Sequence, residues 1–242
     1  MSDDVLDSAI ILAAGLGERM RPLTTHTPKP LLYCGGKRLI EWHLEALARA
    51  GFSRVIINIS HLAEQFEPAL GDGSRWGLSI LYSHEGAIPL ETGGGIWHAL
   101  PLLQREQFLV VNGDVFCDVD FANWRASPAG LARLLLVDNP PQHPAGDFHL
   151  DQFGQVFAEG SPKLTYSGIG TYRSALWDDW QTQIATDEAT LATPPRFKLA
   201  PLLRRAMRME GAEGIRHEGR WHDIGTPERL YSLDAEIQTP RR

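Results

Sequence analysis

Between Ile10 and Leu32 the chain reads IILAAGLGERMRPLTTHTPKPLL, and this stretch carries the residues best suited to do chemistry. Gly15 and Gly17 follow a short apolar run, Ile10 to Ala14, that reads as a buried strand. Glycines directly after a strand let the backbone approach a phosphate and turn N–H groups toward it. Arg19 and Lys29 add two fixed positive charges. The third glycine of a dinucleotide-binding loop, three residues after Gly17, is replaced by Met20. No Gly-Lys-Ser/Thr closes the stretch, so it is not a Walker A loop either. Pro22, Pro28 and Pro30 argue against a regular helix, because proline lacks the amide donor and restricts the residue before it. What remains is an extended, proline-stiffened loop presenting two cations beside a glycine turn. That suits a polyphosphate whose bonds are being changed.

Three further places carry candidate chemistry. Phe108 to Asn112, FLVVN, reads as a buried strand that ends at Gly113-Asp114, where a carboxylate would point into a ligand crevice. Magnesium takes oxygen ligands, commonly one or two carboxylates plus substrate phosphates, so Asp114 reads as a metal ligand. Asp118-Val119-Asp120 just downstream is a rival, because an Asp-x-Asp after a strand is how nucleotide-sugar glycosyltransferases hold a metal. Against it, Asp120 is well placed to cap a helix over Phe121 to Arg125. Glu85 to Ile96, EGAIPLETGGGI, is a second glycine-rich stretch, expected to precede an apolar helix reaching about Leu103. Nine histidines show no metal-ligand spacing, which argues against zinc.

The elements that must position these residues follow a simple order. Arg38 to Ala50 has helical spacing with Gly51 as its stop. Val55 to Ile59 and Leu78 to Tyr82 read as strands, with a short helix over Leu62 to Leu70 between them. Strand, helix and strand recurring at short spacing predict a parallel sheet covered on both faces, with ligands at the carboxyl ends of its strands. Leu131 to Val137, Phe148 to Leu150, Val156-Phe157 and Leu164 to Tyr172 are further strands, joined by tight turns that predict a mixed sheet. Leu176 to Ile184 is expected to be helical, Ala185 to Pro195 a mobile loop and Lys198 to Met209 an amphipathic helix. A last helix starts with Thr226 as N-cap and Pro227 at its first position. The fold class expected is single-domain α/β, with a flexible segment 1–7, a domain 8–237 and a tail 238–242.

A net charge of −7 argues against general affinity for nucleic acid or anionic membrane, while leaving room for a local cluster of cations. The acidic start MSDDVLDS lacks the order of a secretory signal, and no apolar run approaches the roughly 20 residues of a membrane span. Cys34 and Cys117 lack metal-ligand spacing, so reduced thiols and a cytoplasmic setting are expected.

The pattern G-x-G-x-R-M-x-P-x-T followed by P-K-P-L resembles the N-terminal motif of the sugar-phosphate nucleotidylyltransferases. These enzymes join a nucleoside triphosphate to a sugar 1-phosphate and release pyrophosphate. The resemblance implies the nucleotide-diphospho-sugar transferase fold, a Rossmann-like, mainly parallel mixed sheet. It implies Arg19 and Lys29 as catalytic residues and a Mg²⁺ held by Asp114 and by Asp223 of WHDIGTPERL. Nucleotide contacts are implied for Ala14, Gly15, Gly17, Glu18, Arg19, Lys29, Glu85, Thr92, Gly93 and Asn112, with Glu85 an acceptor for a base N–H. Where many relatives read G-T-A-G this chain reads Glu91-Thr92-Gly93-Gly94, which leaves the base open. Asp147, Glu159 and Ser167 fall where the family builds its sugar-phosphate pocket. Relatives there carry Glu-Lys-Pro, and Lys163 is displaced from that pattern. No hexapeptide repeat is visible, so the appended β-helix of many relatives is not expected.

A sugar 1-phosphate is already anionic, so attack on an α-phosphorus needs no strong base. The obstacle is bringing an anion to a triphosphate, and such transfers are catalysed by alignment and charge neutralisation. Within the family, LETGGGI, VNGDVF, LVDNP with GDF, FKLAPLL and WHDIGTPERL resemble a short bacterial uridylyltransferase branch acting in peptidoglycan recycling, which favours UTP. Mannose 1-phosphate guanylyltransferase and glucose 1-phosphate uridylyl- or thymidylyltransferase wording shares most of this. Outside the class stand a glycosyltransferase using Asp118 and Asp120, and a regulatory protein that binds nucleotide without turnover.

Overall fold

The computed structural model describes residues 5–239. In chain order the strands and α-helices are β1 (Ser8–Leu12), β2 (Tyr33–Cys34), β3 (Lys37–Arg38), α1 (Leu39–Arg49), β4 (Arg54–Ile59), α2 (Phe66–Leu70), β5 (Ser79–His84) and α3 (Glu91–Leu103). They continue as β6 (Gln107–Asn112), β7 (Val115–Cys117), β8 (Ala132–Val137), β9 (Phe148–Leu150), β10 (Val156–Phe157) and β11 (Lys163–Arg173). Last come α4 (Glu188–Leu191), α5 (Ala200–Arg208), β12 (Ala212–His217), β13 (Trp221–Asp223) and α6 (Pro227–Gln238).

One mixed sheet of nine strands organises the molecule, running β5-β4-β1-β6-β11-β8-β12, with β9 and β10 continuing from the start of β11. β1 pairs in parallel with β4 and β6, whereas β11 runs antiparallel to both β6 and β8. The strands nearest the centre are apolar without alternation because both faces are covered. Ile10, Ile56 and Val110 face a layer holding Ile96, Ala99 and Leu103 of α3 and Leu202 of α5. Ile11, Ile57 and Val111 face Ile40, Leu44 and Leu47 of α1. The chain leaves β1 for β4 and β5 on one side and then crosses to β6 on the other. The carboxyl end of β1 is therefore the switch point at which open α/β sheets form their crevice.

Several expectations change in three dimensions. Gly93–Gly95 lie inside α3 rather than before it, since the helix starts at Glu91. The helix expected over 176–184 is two single 3₁₀ turns, Ser174–Trp177 and Trp180–Thr182, separated by Asp179 in the left-handed region. Trp177 and Trp180 are both buried. The polar stretch before Pro195 contains α4, capped by Asp187 accepting from Thr190 N at 2.8 Å. Strand β12 has no apolar pattern to announce it. It is seated by parallel pairing to β8 and by Gly214, where a Cβ would stand 2.6 Å from Val156. Of the N-terminal segment expected to be flexible, Leu6 is buried and its amide donates to Arg125 O at 2.7 Å. Its first four residues, and 240–242 of the expected tail, lie outside the described residues. Cys34 and Cys117 are free thiols, raised by burial to about 11 and about 12. Among the described residues no helix is long and apolar enough to cross a membrane.

Candidate active site

The carboxyl ends of β1, β4 and β6 are in register, with Leu12 paired to Asn58 on one side and to Asn112 on the other. Asn58 stitches the neighbouring loops together. Its Oδ1 accepts from Ala13 N at 2.6 Å, and its Nδ2 donates to Glu85 Oε1. Glu85 Oε2 accepts from Leu90 N at 2.7 Å. Burial raises the Glu85 carboxyl above its ordinary range, opposed by these two hydrogen bonds. Each of its oxygens already accepts one bond, so the carboxylate braces this wall of the cleft.

Beyond β1 the chain opens a cleft of about 680 Å³. The proline-rich loop wraps it as three single 3₁₀ turns, Glu18–Met20, Leu23–Thr25 and Lys29–Leu31, with no α-helix. Gly17 sits at φ +63, which favours glycine, and its carbonyl accepts from Thr24 Oγ1 at 2.7 Å. At Gly15 nothing lies within 4 Å of where a Cβ would stand, so its backbone is open to the cleft. Lys29 is almost fully buried and its Nζ lies 2.7 Å from Asp114 Oδ2, while the Asp114 side chain is 40% exposed. A buried ammonium needs such a partner, and the pair places one carboxylate at the cleft surface.

Asp114 leads into β7, which pairs antiparallel with β13 so that Val115 faces Asp223 and Ile224 N donates to Asp114 O at 3.0 Å. This two-stranded ribbon brings the two expected metal aspartates to adjacent positions although 108 residues separate them in the chain. Buried His43 of α1 anchors the ribbon from behind, 2.8 Å from the Val115 carbonyl. Burial lowers its imidazole to about 4, so it is neutral and donates from Nε2. Asp223 Oδ2 accepts from Arg229 Nη1 at 2.7 Å. Gly225 lines the cleft, and a Cβ there would stand 3.3 Å from Asp223 Oδ2 and 3.5 Å from Arg19 Cζ. Among the described residues no three carboxylate, imidazole or thiolate groups form a complete metal cage. Two oxygen donors beside a loop carrying Arg19 and Lys29 fit magnesium, which takes its remaining ligands from phosphates and water.

Ala14, Gly15, Gly17, Glu18, Arg19, Lys29, Glu85, Thr92, Asn112 and Asp114 all line this cleft. Gly93 is buried behind it in α3, with its carbonyl accepting from Trp177 Nε1 at 3.0 Å. Sequence reasoning overlooked Asn58, Arg196 and Gly225, which also line the cleft. Asn58 closes an apolar strand much as Asn112 does, a signal that was available. Arg196 gave none, because contacts distant in the chain bring it across, its Nε to Pro89 O at 3.2 Å and Phe197 N to Leu90 O at 3.2 Å.

The sugar-pocket candidates are placed elsewhere. Asp147 Oδ2 accepts from Tyr166 N at 2.8 Å and its Oδ1 lies 3.0 Å from His143 Nε2. Glu159 has a side chain 96% exposed, 3.8 Å from Lys163, whose Nζ donates to Ala158 O at 2.7 Å. Ser167 is buried in a bulge, its hydroxyl accepting from Ile169 N at 3.1 Å. None of the three lines the cleft. Asp118 and Asp120 do not line it either. Asp118 Oδ1 accepts from Arg220 N at 2.8 Å and Asp120 caps a 3₁₀ turn through Ala122 N at 3.0 Å.

Residues 8–239 match the nucleotidyl transferase family. The chain belongs to that family. Among its relatives is the N-acetylmuramate alpha-1-phosphate uridylyltransferase of Neisseria meningitidis, 48% identical over 94% of this chain and 96% of the relative. The enzyme of that name from Caulobacter vibrioides is 31% identical over 95% of this chain and 96% of its own length. A mannose-1-phosphate guanylyltransferase of Mycobacterium tuberculosis is 41% identical, over only 47% of this chain and 32% of its own. The inositol-1-phosphate CTP transferase from T. maritima shares the fold at a TM-score of 0.76, covering 98% of both chains at 16% identity. The family's nucleotide-diphospho-sugar transferase fold is thus present as one mostly parallel sheet flanked by helices, and the chain is a sugar-phosphate nucleotidyltransferase.

Proposed function

We propose that this enzyme transfers the uridylyl group of UTP to N-acetylmuramate α-1-phosphate, in the cytoplasm, as part of peptidoglycan recycling. A phosphate oxygen of the sugar forms the new bond to the α-phosphorus. The bond from that phosphorus to the bridging oxygen breaks, and pyrophosphate leaves with the electron pair. The observation that carries this reading is the Lys29–Asp114 pair beside the open Gly15 backbone, at the switch point of a sheet of this family. The choice of sugar and base is supported by the 48% identity to the meningococcal uridylyltransferase, which runs the length of both chains.

Each residue then has a physical task. Gly15 and Gly17 offer backbone N–H groups to the triphosphate, and Arg19 neutralises its β- and γ-phosphates as pyrophosphate forms. Lys29, held near the cleft floor by Asp114, offers charge to the α-phosphate and the incoming sugar phosphate. Asp114 and Asp223 would hold magnesium, which when bound supplies Lewis-acid stabilisation of the charge gathering on phosphate oxygens. Glu85, Thr92 and Arg196 also line the cleft and would contact the nucleoside.

Pyrophosphate release with magnesium, across four nucleoside triphosphates and a panel of sugar 1-phosphates, tests the reading. Turnover is expected with UTP and N-acetylmuramate 1-phosphate. Turnover confined to GTP with mannose 1-phosphate, or to dTTP with glucose 1-phosphate, would keep the mechanism and replace the substrates. Lys29→Met should lower kcat by on the order of 10²–10³, the range for losing one preorganised donor. A fully active variant would remove Lys29 from the mechanism.

A further inference from the structure

Asp223 has a cation of its own. Arg229, in the first turn of α6, donates from Nη1 to Asp223 Oδ2 at 2.7 Å and to Asp223 O at 3.3 Å. The two side chains are 29% and 26% exposed, so the pair is only partly screened by water. Asp114 is held in the same way, by Lys29 at 2.7 Å. The point where a Cβ on Gly225 would stand is 2.9 Å from Arg229 Nη1, 3.3 Å from Asp223 Oδ2 and 3.5 Å from Arg19 Cζ. Arg229, Asp223 and Arg19 therefore converge around one glycine of the cleft wall.

We propose that Arg229 is a positioning residue, the counter-ion that magnesium must displace from Asp223, and that it then turns to the phosphates beside Arg19. The inference rests on the metal and triphosphate roles proposed above. A bare divalent cation binding Asp223 competes with Arg229 for the carboxylate and brings the guanidinium no new anionic partner. A cation arriving with a triphosphate brings that partner with it, since guanidinium groups pair well with phosphate oxygens. By linkage, Arg229 weakens binding of the cation alone and strengthens the coupling between cation and triphosphate. A merely structural Arg229, tying α6 to the β7–β13 ribbon, would act with the opposite sign. Its loss would loosen Asp223 and weaken the cation.

Mn²⁺ is a suitable probe, because its free aqua ion can be counted by electron paramagnetic resonance with the full chain in solution. Without nucleotide, Arg229→Met and Arg229→Gln should bind Mn²⁺ about two- to fivefold more tightly than the parent, the scale of a partly exposed ion pair. The gain in UTP affinity produced by Mn²⁺ should shrink by a similar factor, and Arg229→Lys should stay close to the parent. Folded Met and Gln variants that bind Mn²⁺ equally or more weakly would overturn the counter-ion role. Asp223→Asn separates the two readings. If it abolishes Mn²⁺ binding while the Arg229 variants show no gain, only the counter-ion role fails. If the parent binds no Mn²⁺ with or without UTP, the metal role fails and this inference with it.

Discussion

Two glycine-rich stretches border the same cleft, and they use glycine for opposite reasons. At Gly15 the space around the missing Cβ is empty, and at Gly17 the backbone takes a positive φ. In α3 no glycine has an unusual φ, but there is no room. A Cβ on Gly93 would stand 2.7 Å from Phe197, one on Gly94 2.6 Å from Pro195 O, and one on Gly95 2.8 Å from Asn58 and closer still to Glu85. The first stretch keeps glycine so that something can approach the backbone. The second keeps it so that the Pro195–Lys198 segment and the Asn58–Glu85 bond can lie against a helix. Glycine inside a helix costs about 1 kcal/mol relative to alanine, so α3 offsets roughly three such losses through this packing.

The contrast can be broken by substitution, with the largest effect expected in the helix. Gly95→Ala should destabilise the protein by about 3 kcal/mol or prevent folding, because the new methyl meets the buried Glu85 carboxylate and the Asn58 amide rather than a flexible side-chain end. Chemical denaturation measures this, and a variant as stable as the parent would show that α3 has room to shift. Gly17→Ala should cost about 1–2 kcal/mol through its left-handed backbone, with some crowding of Thr24. Glu91 is a third case, a non-glycine residue at φ 62 where α3 begins. Glu91→Gly should therefore raise stability, by up to about 1 kcal/mol, and a loss instead would mean that its carboxylate braces the fold. Gly15→Ala should leave the melting curve within about 0.5 kcal/mol of the parent. Its effect should be on KM for the triphosphate, raised by about tenfold if a phosphate rests on that backbone, which is a loss of roughly 1.4 kcal/mol in binding. An unchanged KM would remove Gly15 from the nucleotide site.

Much of the cleft could be read along the chain, for local reasons. An apolar strand followed by glycine, a carboxylate just past a buried strand, and a Thr-Pro before a helix are each properties of a few consecutive residues. This is why Gly15, Arg19, Lys29, Asn112 and Asp114 were placed on one cleft without knowledge of the pairing. Asp147 and Glu159 show where such reading stops. A carboxylate in a hairpin looks the same along the chain whether it points into a pocket, accepts from a neighbouring strand as Asp147 does, or stands in water as Glu159 does.

The sequence by itself determined the class of sheet, the glycine- and proline-rich loop that borders the cleft and the place of Asp114 at its edge, because hydrophobic periodicity and glycine or proline placement act over short distances. Only the tertiary structure decided that Gly93–Gly95 belong inside a helix and that Asn58 ties Ala13 to Glu85. The same holds for Arg196 reaching the cleft over Pro89, and for Arg229 holding Asp223. Each of these depends on which distant segment comes to lie alongside, and close packing between segments is settled by the shapes and charges of both partners at once.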